Sequence, residues 1–242
     1  MEETGAIPLT VDIEERIVSF WSRMSCNNNN NNNNNNQTTK LSITIYRYVH
    51  RIAQTLPDNT LKNRFPWFFT VKSILIKCGL NDIWNDQQMI NPKWIKLAVK
   101  RKLKDIFLSN WYSLIENSSN SQFYKCFKNS FGYESYLHTT PRSLLFPLIR
   151  FRTRNHRLPI ETGNWNRTPI NDRKCQTCNK IGDEFHFLFE CVTLENERKQ
   201  YIKPYFYRHP NMFKLEKLFN TNSKKVFLNL CKMIKTILNQ YH

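Results

Sequence analysis

Three cysteines and one histidine lie within a single stretch of 17 residues, Cys175-Gln-Thr-Cys178-Asn-Lys-Ile-Gly182-Asp-Glu-Phe-His186-Phe-Leu-Phe-Glu-Cys191. Two cysteines separated by two residues can bind one metal ion from a tight turn. Gly182 allows the chain to reverse direction after that turn. The spacing therefore predicts a metal site whose ligands are Cys175, Cys178, His186 and Cys191.

The part of this stretch after the glycine has the composition of a short helix. Asp183 and Glu184 carry the charge that a helix N-terminus favours, which places His186 in the first turns. In a straight α-helix Cys191 points about 140° away from His186, so we expect the helix to end near Glu190. Three thiolates and one imidazole complete a tetrahedral shell, so the predicted cofactor is one structural Zn²⁺. The alternative is a free thiol pair with an ordinary buried histidine.

The charge of the chain indicates an anionic partner. Its 242 residues include 36 Lys and Arg against 19 Asp and Glu, a formal net charge of +17. An excess of this size favours nucleic acid first and an acidic surface second. The mean hydropathy is −0.60, and no apolar run approaches the length of a membrane span, so no membrane partner is expected. With only 5 glycines and no glycine-rich phosphate loop, nucleotide-binding enzymes of that kind are excluded.

The first residues and the cysteine usage indicate an intracellular protein, in the nucleus or the cytoplasm. The opening Met1-Glu2-Glu3-Thr4 is acidic and has no apolar stretch like that of a secretory signal. We therefore expect no disulfide framework. The remaining cysteines are interpreted as small core residues; they are Cys26, Cys78, Cys126 and Cys231.

Apolar periodicity predicts a mainly α protein: a helical domain followed by a small zinc-stapled module and C-terminal helices. Helices are expected over residues 8–24, 40–56, 66–79, 92–116, 141–157, 212–219 and 224–241. The predicted organisation is an N-terminal helix (1–26), an Asn-rich flexible linker (27–39), a basic helical region (40–136), a zinc-binding module (137–195) and C-terminal helices (196–242).

Two of these helices carry basic faces. The helix 92–116 is expected to bury an apolar stripe that includes Trp94, Leu97 and Leu103, and its other face holds six lysines and arginines. Such a run is more often a solvated face than a binding site. In the helix 141–157, Leu148 and Phe151 are predicted to point inward. The opposite side presents Arg150, Arg154 and Arg157.

The arginine-rich segment before the cysteines carries a family resemblance. It runs Leu148-Ile-Arg150-Phe-Arg152-Thr-Arg154-Asn155-His156-Arg-Leu158-Pro159-Ile160-Glu161-Thr-Gly163, followed by Asp172-Arg173-Lys-Cys175. Together with the Cys/His pattern, this segment resembles the reverse-transcriptase zinc-binding region that closes the polyprotein of non-LTR (LINE-type) retrotransposons.

Other parts of the chain extend that resemblance or depart from it. The stretches Glu3-Thr-Gly5-Ala-Ile-Pro8-Leu9 to Phe20-Trp21-Ser-Arg23, and Asn91-Pro92-Lys93-Trp94, resemble the helical part that links the polymerase to the zinc region. The family often has arginine where this chain has Asn164. The ten consecutive asparagines at 27–36 are a second departure.

The resemblance implies binding of nucleic acid (RNA, DNA or both), with RNA preferred, and a reverse-transcriptase domain as a protein partner. The sequence contains no Tyr-x-Asp-Asp polymerase motif and no carboxylate and histidine set typical of an endonuclease. The chain is therefore predicted to be no enzyme but the terminal piece of a retrotransposon reading frame, separated from its enzymatic domains.

The leading hypothesis is a zinc-stabilised nucleic-acid-binding module. Seven cations are expected to contact phosphates and two rings to stack on bases. The cations are Arg150, Arg152, Arg154, Arg157, Arg167, Arg173 and Lys174, and the rings are His156 and Trp165. Arg152 projects near the packing side of its helix, and Trp165 has core or hinge packing as its alternative.

Two other hypotheses remain open on the sequence alone. The first is a helical protein-interaction module, in which the apolar stripe Val226 to Leu238 docks a polymerase domain or a second copy. The second is a transposon fragment without a selected function.

Overall fold

Helices account for most of the computed structural model, which describes residues 3–26, 37–86, 91–118 and 122–241. The protein is mainly α, as predicted. Strand pairing among the described residues is limited to two isolated bridges, Thr4 with Tyr133 and Lys174 with Ile181. The chain forms two units, described separately below. Unit 1 contains Ala6–Asn110, and unit 2 contains Glu2–Gly5 and Trp111–His242.

Among its described residues, unit 1 contains five helices and most of a sixth. They are α1 (Leu9–Cys26), α2 (Gln37–Thr55), α3 (Asp58–Arg64), α4 (Pro66–Lys77), α5 (Asn81–Asn85) and α6 (Pro92–Asn117), which continues into unit 2. Trp21 and Trp84 stack in the core with ring centroids 6.2 Å apart. His50 lies 4.7 Å from the Trp84 ring and is buried with it.

The helix α4 begins at Pro66, as predicted, and ends at Lys77, two residues before the predicted end at Gly79. Gly79 has a left-handed φ of +68°, which glycine adopts without a Cβ penalty. Its N–H donates to the Ile76 carbonyl, and the Leu80 N–H donates to the Leu75 carbonyl at 2.8 Å. These two bonds form a Schellman motif, which satisfies carbonyls that the helix end leaves without partners.

The buried face of α6 differs from the predicted one. Ile95, Val99 and Leu103 are buried, whereas Trp94 and Leu97 are about half exposed. The buried residues follow an i, i+4, i+8 spacing that keeps them on one side of the helix. The structure therefore corrects the predicted stripe, of which Leu103 is buried while Trp94 and Leu97 lie at the surface.

In the part of unit 2 that the structure describes, eight further α-helices follow. They are α7 (Gln122–Lys125), α8 (Tyr136–Thr139), α9 (Arg142–Arg152), α10 (Pro159–Trp165), α11 (Glu195–Tyr201), α12 (Pro204–Tyr207), α13 (Met212–Phe219) and α14 (Lys224–Gln240). The core is formed where α9 packs on α14. Leu148 and Phe151 of α9 are fully buried, as predicted, and so are Leu230 and Ile234 of α14. The apolar stripe of α14 is therefore the inner face of unit 2, which corrects the hypothesis that it docks a partner.

The helix predicted over 141–157 ends five residues early. Arg152 is the last residue of α9, and Arg154 has a φ of +56°, which no α-helix accommodates. Arg150, Arg154 and Arg157 therefore do not share one helical face.

The predicted domain boundaries also differ from the observed units. Residues 111–136 and 196–242 belong to the same unit as the Cys/His segment. Residues 27–36 of the predicted linker lie outside the described residues, and 37–39 form the start of α2. No described helix combines the length and the apolar composition that crossing a bilayer requires.

Candidate metal centre

A short turn positions the first two cysteines. The Cys175 N–H donates to the Lys180 carbonyl at 2.8 Å, and the Asn179 N–H donates to the Cys175 carbonyl at 2.9 Å. Asn179 has a φ of +54°, which asparagine adopts more readily than most residues. The chain reverses within this loop and brings Cys178 back toward Cys175, as the two-residue spacing predicts.

The second pair of candidate ligands flanks a π-helical turn, His186–Glu190: His186 begins it and Cys191 directly follows it. Asp183 Oδ1 accepts from the His186 N–H at 2.8 Å and caps the turn. The Cys191 N–H donates to the His186 carbonyl at 2.8 Å, which is the i to i+5 bond of a π-turn. The turn ends at Glu190, as predicted. Its wider winding brings Cys191 toward the side of His186, which a straight α-helix would not do.

The four candidate ligand groups converge on one point. Their ligand atoms all lie within 4.8 Å of one another. Cys191 Sγ is 3.9 Å from Cys175 Sγ and 3.8 Å from Cys178 Sγ. Two sulfur atoms bound to one tetrahedral zinc at about 2.3 Å each are separated by about 3.8 Å. The sulfur spacing therefore fits one ion held at the centre of the cluster.

The imidazole of His186 has the surroundings of a metal ligand. The residue is buried, and among the described residues neither ring nitrogen has a hydrogen-bond partner. Nδ1 lies 3.6 Å from Glu190 Oε2, and ligating histidines commonly direct their second nitrogen to a carboxylate. Both ring nitrogens are thus available to a metal ion. Burial lowers the pKa of His186, which favours the neutral ring that binds metals.

The thiols differ in their surroundings. Burial acts to raise the pKa of Cys175, but backbone N–H groups of Cys178 and Thr177 bring it below its ordinary value. Burial raises the pKa of Cys191, and Thr193 Oγ1 lies 3.0 Å from its sulfur. These surroundings thus favour the thiolate more at Cys175 than at Cys191. A bound metal ion would provide the positive charge that stabilises the thiolates.

Arg198 supports the centre without being a ligand. Its side chain is buried, with Nε donating to the Leu188 carbonyl at 3.0 Å and Nη2 donating to the Cys191 carbonyl at 2.7 Å. These bonds hold the end of the π-helical turn where Cys191 leaves it. The sequence pattern does not indicate this residue, since an arginine seven positions after the last cysteine lies outside the spacing of the candidate ligands.

Two residues predicted to contact nucleic acid lie in the interior instead. Arg152 is 1% exposed; its Nε lies 3.2 Å from Glu3 Oε1, and its guanidinium lies 4.4 Å from the Phe127 ring centroid. His156 is 1% exposed, and its Nε2 lies 3.0 Å from Glu184 Oε1. Both are corrected here, because a buried side chain with internal partners cannot reach a phosphate or stack on a base.

Arg154 belongs to the same interior network. Its Nη2 lies 2.5 Å from Glu161 Oε1, and its Nε lies 3.1 Å from Glu184 Oε1. Both carboxylates are buried. The network joins the loop after α9 to α10 and to the segment just before the π-helical turn. Arg154 is therefore corrected from a phosphate contact to a structural cation.

The remaining predicted contacts are at least partly exposed. Arg150 is half-buried, with Nε donating to the Asn155 carbonyl. Arg173 is also half-buried, donating to the carbonyls of Thr168 and Ile160. The exposed ones are Arg157, Arg167, Lys174 and Trp165, the last being 56% exposed.

Three of these cations meet in one groove beside the metal cluster. The groove has a volume of about 600 Å³ and is lined by Arg157, Arg173 and Lys174. Tyr241 also lines it and lies against the Cys175 sulfur. Lys174 directly precedes the first ligand and pairs with Ile181 across the turn. We call this feature the unit 2 groove.

The described residues thus contain a Cys₃His cluster that could hold a metal ion, with a basic groove next to it. Comparisons with known protein families, with curated proteins and with solved structures find no match to this chain.

Proposed function

We propose that this chain is a zinc-stabilised module that binds nucleic acid, with RNA as the expected ligand, and that it derives from the C-terminal region of a non-LTR retrotransposon reverse transcriptase. The family origin and the preference for RNA rest on the resemblance of residues 141–191. The binding mode rests on the groove beside the metal cluster.

Zinc is the ion that the donor set favours. Three thiolates and one imidazole select zinc among the divalent ions common in cells. Four protein ligands fill a tetrahedral shell and leave no position for a reactive water. Zinc would therefore act by joining the Cys175 turn to the π-helical turn, and the chain would bind rather than catalyse.

The observation that carries the binding proposal is the convergence of Arg157, Arg173 and Lys174 on the unit 2 groove. Arg157 and Lys174 are exposed, so both can move to meet phosphate oxygens. Arg173 is held in place by two backbone carbonyls. Lys174 directly precedes Cys175 in the turn that carries the first two candidate ligands. Loss of the metal ion would therefore change the shape of the groove.

Metal analysis tests the first half of the proposal. The purified full chain should contain one zinc per molecule after desalting, and Cys175→Ser should lose it. Cys126→Ser is the control, since Cys126 is a cysteine outside the cluster. A chain that folds without zinc would contradict a structural ion.

RNA binding tests the second half. The double variant Arg157→Gln/Lys174→Gln should weaken binding of a fluorescent single-stranded RNA and reduce the slope of log affinity against log salt by about 1.4, from about 0.7 per phosphate contact. The matched control is Arg142→Gln/Lys225→Gln, which removes the same two charge types from exposed positions outside the groove. An equal loss of RNA affinity in both variants would show that net charge alone causes the effect, and it would contradict binding in the proposed groove.

A further inference from the structure

A second basic groove lies in unit 1 and shares no residue with the unit 2 groove. It is formed between α1 and α6 and has a volume of about 430 Å³. Four cations and two small residues contribute to its walls: Arg16, Ser19, Arg23, Pro92, Lys93 and Lys96. We call it the unit 1 groove.

Helical spacing explains why these cations meet. Arg16, Ser19 and Arg23 are three and four residues apart, so they lie along one side of α1. Lys93 and Lys96 are likewise three residues apart on α6. The same side of α6 continues through Lys100 and Lys104.

The lysines of α6 therefore form a row that leads out of the groove. From Lys93 to Lys104 this row is about 16 Å long, at about 1.5 Å of rise per residue. Its four lysines are all exposed. A row of this length spans several phosphates of an extended strand.

The positive charge of the unit 1 groove is only partly neutralised from within, by one carboxylate against four cations. Glu15 is the acidic residue in its lining; it is buried, and its Oε1 lies 3.7 Å from Lys96 Nζ. Within the described part of the chain, Arg16 and Lys93 have no carboxylate partner within 4.0 Å. The first amides of α6 are already bonded, because Asn91 Oδ1 accepts from the N–H groups of Lys93 and Trp94. An incoming anion would therefore be held by side chains.

The concave shape of the site favours a nucleic-acid strand over a membrane surface as its anionic partner. Its cations line a concave space between two helices, which a strand of phosphates can enter and a flat bilayer surface cannot.

We propose that the unit 1 groove is a second nucleic-acid-binding site, which holds the phosphate backbone of a single strand between α1 and α6. Arg16 and Arg23 contact phosphates from one wall, and Lys93 and Lys96 contact them from the other. The row through Lys100 and Lys104 extends the path. This site goes beyond the proposed function, which uses unit 2 residues only, and it neither needs the metal ion nor depends on the unit 2 groove.

The test uses the full chain with a fluorescent single-stranded oligonucleotide, followed by anisotropy across a salt series. Arg16→Gln/Lys93→Gln removes two cations without breaking an ion pair of the described residues. Binding should weaken about tenfold at low salt, and the slope of log affinity against log salt should fall by about 1.4, from about 0.7 per lost phosphate contact. The variant should keep the thermal midpoint of the parent.

The matched control is Lys62→Gln/Arg64→Gln on α3, which removes one lysine and one arginine from exposed positions of the same unit. It should change affinity less than twofold. An equal loss in the control would mean that net charge alone attracts the strand, and the groove would be rejected. Binding to phosphatidylserine vesicles that falls in the groove variant, with oligonucleotide binding unchanged, would make a lipid headgroup the ligand and also overturn the proposal.

The same assay separates this inference from the proposed function. Loss of affinity in Arg16→Gln/Lys93→Gln but not in Arg157→Gln/Lys174→Gln would leave the unit 1 groove standing and contradict the unit 2 groove. The reverse pattern would contradict the inference alone.

Discussion

At the level of single residues, the Cys₃His cluster is supported by a side chain that is not one of its four candidate ligands. The buried guanidinium of Arg198 bonds the carbonyls of Leu188 and Cys191 at 3.0 and 2.7 Å. Both carbonyls lie at the end of the π-helical turn. Such outer contacts orient the ligands of metal sites and often matter nearly as much as the ligands themselves.

Removing this contact should weaken metal binding. We expect Arg198→Met to lower zinc affinity by about 10- to 100-fold, because Cys191 loses the bonds that hold its backbone in place. Competition with a chromogenic chelator measures the affinity. Lys199→Met is the control, since Lys199 is the next residue and is exposed. Equal affinities in the two variants would show that Arg198 serves the core and not the metal.

A second residue, His50, makes the stability of unit 1 depend on pH. Burial lowers its pKa from 6.5 to about 4. Between pH 6.5 and pH 4, His50 is protonated in the unfolded chain but stays neutral in the folded chain. The free energy of unfolding therefore falls as pH falls below about 6.5. The stability that depends on neutral His50 is fully present well above pH 6.5, and about 2 to 3 kcal/mol of it is lost by pH 4.

The variant His50→Phe should remove that dependence, since phenylalanine preserves the ring contacts with Trp84 and Phe68. Urea unfolding followed by tryptophan fluorescence at pH 7 and pH 5 measures it, with the exposed His138→Phe as control. A wild-type protein whose pH dependence matches that of His50→Phe would show that the buried imidazole is not responsible.

At the scale of elements, close packing between α10 and the segment that leads into Cys175 depends on a glycine. A Cβ placed on Gly163 would lie 2.4 Å from Cγ and 2.7 Å from Cδ of Arg173. That side chain cannot easily move away, because its guanidinium bonds two backbone carbonyls. Glycine is therefore required here for space and not for its backbone freedom.

We expect Gly163→Ala to destabilise unit 2 by about 1 to 3 kcal/mol, the usual cost of overpacking. It should also weaken RNA binding, since Arg173 lines the unit 2 groove. Gly132→Ala is the control, because a Cβ there meets nothing within 4 Å. Thermal unfolding of both variants decides the matter, and similar midpoints would mean that Arg173 shifts without cost.

At the scale of the whole molecule, residues 3–5 are part of unit 2 although α1 belongs to unit 1. Glu3 is buried, where it pairs with Arg152 and accepts from the Tyr136 hydroxyl. The Glu134 N–H donates to the Glu3 carbonyl at 3.0 Å. A segment at the start of the chain thus neutralises a cation at the centre of unit 2.

Glu3→Gln should therefore destabilise unit 2 by about 3 to 5 kcal/mol, because it leaves the buried guanidinium of Arg152 without its nearest carboxylate. Glu116→Gln removes a carboxylate from an exposed pair with Lys125 and should cost less than about 1 kcal/mol. Hydrogen exchange resolved by peptide reads the two units apart. After Glu3→Gln, exchange should accelerate in unit 2 peptides only. Acceleration in unit 1 peptides, or no acceleration in unit 2 peptides, would contradict the assignment of Glu3 to the core of unit 2.

Features that depend on nearby residues could be predicted from the sequence, and features that depend on distant packing partners could not. The bounds of α13, the glycine that ends α4 and the end of the π-helical turn follow from periodicity and from residues with special backbone preferences. The length of α9 and the buried face of α6 do not, because both depend on what packs against them. Arginines are the clearest case: Arg152, Arg154 and Arg157 are close in sequence, yet only Arg157 is exposed.

The mainly α class, the basic character of the chain and the Cys/His spacing that could hold a metal ion can all be predicted without a structure. These properties depend on composition and on neighbours a few residues apart. Which cations face solvent follows from the folded chain alone, because Glu3, Glu161 and Glu184 reach their arginine partners across as many as 149 positions of the chain. Burial of a charge requires such a partner, and a linear pattern does not reveal where that partner lies.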